Sequence, residues 1–228
     1  MATRSGIFMI ADSLEVEDTI RGTTPIGLIE KLDRVSNLNV VLSFWGTTVN
    51  PSNNFYLIDE LRNFEETLDE NDNVLTVTSK IKTFFEDLAV LDHDDEIGFH
   101  ICGYIDETAH IHHVHNITSC RNNEFKNEDS KQEFSGRPRF LEYPILFNGD
   151  NKIPNLIINL IGRFNDRIRY EEFNNEQAKS FLIFLMDTAI KLQRYSSTSL
   201  TLGNLIDYPL RFCEITNENI RLEIIRNS

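Results

Sequence analysis

Apolar and polar positions along the chain follow two rhythms. Short runs rich in β-branched and aromatic residues read as strands, at 5–12 (SGIFMIAD), 38–45 (LNVVLSFW), 96–104 (EIGFHICGY), 110–117, 208–215 and 220–225. The links 105–109 (IDETA) and 216–219 (TNEN) are of hairpin length, so the last four strands are expected as two hairpins. Helical spacing takes over elsewhere. Residues 53–68 repeat apolar side chains at Phe55, Ile58, Leu61, Phe64 and Leu68. Residues 71–73 break that pattern, and 79–90 resumes it with Ile81, Phe84, Phe85 and Leu88. A short helix is expected over 155–164, just after Pro154. The clearest helix covers 175–195. Asn174 can cap it, Gln177 stands three residues later, and Ala178, Phe181, Leu182, Leu185, Ala189 and Leu192 form one stripe.

Strands and helices come in blocks, which predicts an α+β arrangement with helices outside two antiparallel sheets rather than a doubly wound sheet. The segment 119–138 stands apart. It is polar and aperiodic, and reads as a long exposed loop or a partly disordered insertion in a single domain spanning 1–228.

Charge narrows the function classes. The 228 residues carry 22 Lys+Arg against 36 Asp+Glu, a formal charge of −14, which argues against a nucleic-acid partner because phosphate contacts need clustered cations. The longest apolar runs, 7–11 and 181–186, fall far short of the roughly 20 residues a membrane helix needs, so no membrane partner is expected. No signal-peptide core follows residues 1–6, since Asp12 interrupts the apolar run. Three cysteines without CxxC spacing suit a reducing compartment. A soluble, cytoplasmic location is the expectation.

Local chemistry is sparse. His110, His112, His113 and His115 cluster on one expected strand, where alternation puts the first and second on one face and the third and fourth on the other. Zinc would need three or four ligands, with His100 as a third, so the preferred reading is an exposed hairpin that is rich in histidine. The run Asp92, His93, Asp94, Asp95, Glu96 lacks the glycine and terminal glutamate of an EF-hand and reads as a solvated connection. Residues 147–150 (FNGD) read as a plain turn ahead of a helix. Cys102 and Cys213 lie in apolar strands and should be buried, whereas Cys120 lies in the polar segment with no base beside it. No metal and no cofactor is expected.

Several short strings, in order, resemble the proteasome-like branch of the N-terminal-nucleophile hydrolases. They are 6–13 (GIFMIADS), 30–35 (EKLDRV), 44–46 (FWG), 100–113 (HICGYIDETAHIHH) and 202–209 (LGNLIDYP). The resemblance implies a four-layer αββα sandwich of two antiparallel sheets with helix pairs on both outer faces. It also implies assembly into homo-oligomers or with related subunits, and peptide or protein substrates in active members. By position Asp12 and Lys31 would be the catalytic acid and lysine that support a terminal nucleophile. In active relatives a strand that begins with the nucleophile precedes the segment matching 6–12. Here residues 1–5 precede it, and neither Met1 nor Ala2 carries a nucleophilic side chain. The expectation is therefore a proteasome-subunit-like protein with a structural or assembly role. The alternatives are an active threonine- or serine-type peptidase or amidase whose nucleophile is exposed by processing, and a non-enzymatic partner-binding module using 119–138.

Overall fold

The computed structural model describes residues 1–19, 22–51, 54–88, 96–116, 125–131, 157, 169–193, 195 and 206–227. It is a mixed α and β structure built from antiparallel strand pairs, and it divides into two compact units. The expected helix at 155–164, the turn at 147–150, Asp92–Asp95 of the acidic run and Cys120 fall outside the described residues, apart from Ile157.

One unit comprises Met1–Leu32, Tyr143–Glu214 and Arg221–Ser228. Its sheet has the order β1-β2-β12-β13, from strands Ala2–Thr3, Gly6–Asp12, Leu210–Ile215 and Ile220–Ile225. A helix that we label α3, Asn175–Gln193, packs against it. Met1, Phe8, Ala178, Leu182 and Phe212 form its buried cluster, with Ile10, Tyr170, Phe173, Phe181 and Ile225 packed around them. The expected cap is present. Gln177 N donates to Asn174 Oδ1 at 2.9 Å and Asn174 N donates to Gln177 Oε1 at 3.0 Å, a reciprocal capping box that satisfies donors the helix cannot. Lys179 pairs with Glu223 and lies 5.5 Å from the Phe212 ring centre, so α3 is tied to the sheet by charge as well as by apolar contact.

This unit also holds a hairpin that the sequence reading missed, β3 (Leu14–Thr19) with β4 (Gly22–Leu28). Leu14 and Val16 do alternate with charged residues there. The ladder shifts by a bulge between Glu15 and Val16, and Val16 faces Pro25, which cannot donate to a ladder and so sits where the pairing is irregular.

The other unit comprises Asp33–Glu142 and Ile215–Ile220. Its sheet has the order β11-β10-β9-β6-β5, from Phe125–Lys131, Thr108–Asn116, Ile97–Ile105, Val40–Gly46 and Leu32–Arg34. A short pair, β7 (Val49–Asn50) with β8 (Phe55–Tyr56), precedes helix α1, Leu57–Glu65. Helix α2, Val74–Leu88, packs on the sheet, with Phe85 and Phe99 ring centres 4.9 Å apart.

Three expectations are corrected in this unit. The helix expected over 53–68 begins at Leu57, because Phe55 and Tyr56 pair with Asn50 and Val49 as strand. The helix expected over 79–90 begins at Val74, because Asn73 Oδ1 accepts from Leu75 N and Thr76 N and caps it there. The polar segment 119–138, expected as a loop, contains strand β11, paired residue by residue with β10 from His110↔Lys131 to Asn116↔Phe125. Its polar composition argues against a strand locally, and the ladder with β10 overrides that preference.

Trp45, the sole tryptophan, lies across Gly98 on the neighbouring strand. A Cβ added at Gly98 would stand 2.3 Å from Trp45 Nε1, and the rigid indole cannot yield cheaply. Gly98→Ala is expected to lower unfolding stability by about 1–3 kcal/mol and to shift the emission of Trp45. Urea denaturation followed by tryptophan fluorescence checks both, and an unchanged midpoint and spectrum would refute the close packing.

Candidate functional site

A carboxylate at the end of one strand and an ammonium 19 positions later meet because a hairpin lies between them. Asp12 ends β2 and Leu14 opens β3. The register Leu14↔Leu28 continues one step as Ile29 N donates to Ser13 O at 2.8 Å. That step returns the chain to the level of Asp12, and Lys31 follows two residues later. Lys31 Nζ donates to Asp12 Oδ1 at 3.2 Å and to Oδ2 at 3.1 Å. Leu14 N donates to Oδ2 at 3.0 Å. The two side chains are only 17% and 11% exposed.

Burial pushes the Asp12 carboxyl above its ordinary value, while the Lys31 charge and the bonds from Lys31 and Leu14 pull it down. The lysine therefore offsets part of the cost of keeping a carboxylate out of water. Such a pair can orient a proton donor or hold charge beside a reacting group, given a nucleophile.

Two hydroxyls near the start of the chain lie elsewhere. Thr3 faces Gly6 across the β1–β2 turn, so it sits at the opposite end of β2 from Asp12, about 20 Å along the strand. Thr3 Oγ1 and Ser5 Oγ are 2.8 Å apart, Ser5 N donates to Thr3 Oγ1, and Ser5 Oγ donates to Phe173 O at 3.1 Å. These hydroxyls hold the turn.

The histidines follow the expected alternation. His113 lies opposite His100 with ring centres 4.9 Å apart and stacks on His115 at 4.7 Å, with Trp45 6.3 Å from His113. His110 and His112 stack at 6.0 Å on the other face. The expectation of an exposed hairpin fails at His112, which is 2% exposed. It lies opposite Ile101 on the face that also carries Phe99, against which Phe85 of α2 packs. Desolvation, and then His113, push His100 down to about 3, so it is neutral at physiological pH. Among the described residues no group of three or more His, Cys, Asp or Glu is arranged to hold a metal ion. Cys102 and Cys213 are buried, and burial pushes the Cys102 thiol up to about 12, which removes it as a nucleophile.

The structure thus brings Asp12 and Lys31 together, while Leu14 N escaped sequence reasoning. The Leu14/Val16 alternation was the signal that could have exposed the hairpin and its closing role.

No protein-family model matches the sequence, and no curated protein matches it. Among solved structures the chain is similar to a mutant of Anbu (Gly-1) from Hyphomicrobium sp. strain MC1, at a TM-score of 0.60 and 11% sequence identity. That match covers 99% of this chain and 85% of the Anbu chain. At such low identity the likeness is one of fold alone, that of Anbu. Among the described residues no helix is long and apolar enough to cross a membrane.

Removing one partner of the pair strands the other. Lys31→Met should cost about 2 kcal/mol at pH 7, less than for a fully dry pair because both side chains keep some water contact. The sign with pH follows from the raised carboxyl. The folded protein binds this proton more tightly than the unfolded chain does. The stability it contributes is therefore complete below the ordinary value of 3.8 and is lost as pH rises through the raised folded value. Loss of Lys31 raises that folded value further, so the penalty of Lys31→Met is expected to shrink between pH 7 and pH 5. Chemical denaturation at both pH values tests this, and an equal penalty would show that the Asp12 carboxyl does not titrate between pH 5 and pH 7 when Lys31 is removed.

Proposed function

We propose that this chain is a proteasome-like protein with a structural or assembly role, one domain over 1–228 in a four-layer αββα arrangement. It would associate with copies of itself or with related subunits. The observation that carries this reading is the likeness to the Anbu fold over 99% of the chain, joined to an Asp12–Lys31 pair whose bonds go to each other and to Leu14 N. N-terminal-nucleophile catalysis needs a hydroxyl or thiol and a free amine on one residue beside that pair. The hydroxyls of Thr3 and Ser5 are engaged in the β1–β2 turn instead.

The second reading is a threonine- or serine-type peptidase or amidase whose nucleophile is exposed by processing. The retained Asp12–Lys31 contact, a costly arrangement for a purely structural purpose, favours it. A partner-binding role for 119–138 has less support, because β11 commits the middle of that segment to the sheet.

The polypeptide beginning at Met1 is expected to give no turnover with a panel of fluorogenic peptides. It is also expected to gain no mass from a covalent inhibitor directed at N-terminal nucleophiles. Turnover that is abolished by Lys31→Met would establish the peptidase reading in its place.

A further inference from the structure

Lys31 lies in the connection between β4 and β5, where residues 29–31 belong to no strand. A lysine on such a segment has a flexible four-carbon stem and about 2 kcal/mol of rotamer entropy, so its aim depends on how firmly its backbone is held. One anchor is the bond from Ile29 N to Ser13 O. The other belongs to the residue beside Lys31. Glu30 Oε2 stands 2.6 Å from Nη1 of Arg211 on β12, the strand next to β2 in the sheet.

The exposures of that second pair differ sharply. The Arg211 side chain is 13% exposed and the Glu30 side chain 67%. A guanidinium that has given up most of its water needs a counter-charge, whereas an exposed glutamate does not need a cation. The demand thus comes from Arg211, which draws the Glu30 end of the connection onto β12.

We propose that Arg211, acting through Glu30, is a positioning residue for Lys31. The two ion pairs then form a chain of alternating charge, Asp12, Lys31, Glu30 and Arg211, in which the outer pair fixes the backbone from which the inner pair is aimed. This rests on Asp12 and Lys31 being the centre of the proteasome-like site. It concerns the site's geometry, so it holds or fails independently of whether the site turns over peptide.

The test reads the Asp12 carboxyl by side-chain carbon NMR titration of the full chain, with the amide spectrum as a check on the fold. Glu30→Ala alters an exposed residue, and Arg211→Met keeps an apolar stem. Either is expected to raise the Asp12 midpoint by about one unit, as expected when an opposite charge is held less closely. The two shifts should not add, because they break the same contact. In a Lys31→Met background both should vanish. A packing role alone would lower stability without moving that midpoint. An unmoved midpoint in a folded Glu30→Ala protein overturns the proposal, as does a shift that persists without Lys31, since the effect would then reach Asp12 directly. Should Arg211→Met fail to fold, Glu30→Ala with and without Lys31 decides the matter.

Discussion

A carboxylate almost sealed from water must find a counter-charge or give up its own, and the architecture around Asp12 answers that constraint. The strand that carries it stops there. The next residues turn at once into a hairpin whose closing bonds bring the chain back to the same level, and a lysine arrives on the return. Leu14 N supplies a further donor at no entropic cost, because the ladder already fixes it. The hairpin thus serves as a spacer of set length between two charges. A one-residue slip in its register would carry the lysine away from the level of Asp12.

Elsewhere the two units rely on ordinary apolar packing, each with a helix laid on a sheet. In one, α3 meets β2 and β12 through Phe8, Leu182 and Phe212, and its first turn is closed by the Asn174–Gln177 box. In the other, Phe85 and Phe99 join α2 to the central strand, and Lys80 holds the turn before α2 by bridging Asp69 and Asp72 at 3.3 Å and 2.6 Å. That bridge is exposed on one side and adds little energy, but it fixes the geometry of a segment dense in acidic residues.

What could be read from the sequence follows from which signals are local. The strands at 96–104 and 110–117, and the capped helix from 175, each announce themselves within a few residues, and the structure has them within a residue or two at most boundaries. Strand β11 announces nothing, since FKNEDSK is polar after Phe125 and its stability comes from a partner strand. The 14–28 hairpin is obscured in the sequence by the charges of Glu15, Glu17 and Asp18 and by Pro25. Alternation correctly sorted the histidines onto two faces, but it could not say that helix α2 would cover the face of His112. Asp12 and Lys31 were reached by resemblance alone, because no spacing rule links residues 19 apart. Arg211 carried no local mark at all.

The edges of the five-stranded sheet have a consequence for how this protein can meet others. Among the described residues one edge is β11, which carries Lys126, Glu128, Asp129 and Lys131, and the other is β5, only three residues long. Neither offers an extended apolar backbone template, the kind on which a stray strand docks and fibres grow. Growth of this sheet by strand addition is discouraged at both ends. A neighbour that meets this sheet at those edges must instead be recognised through side-chain surfaces, which demand a complementary shape and so discriminate between partners in a way that an open ladder of amides does not.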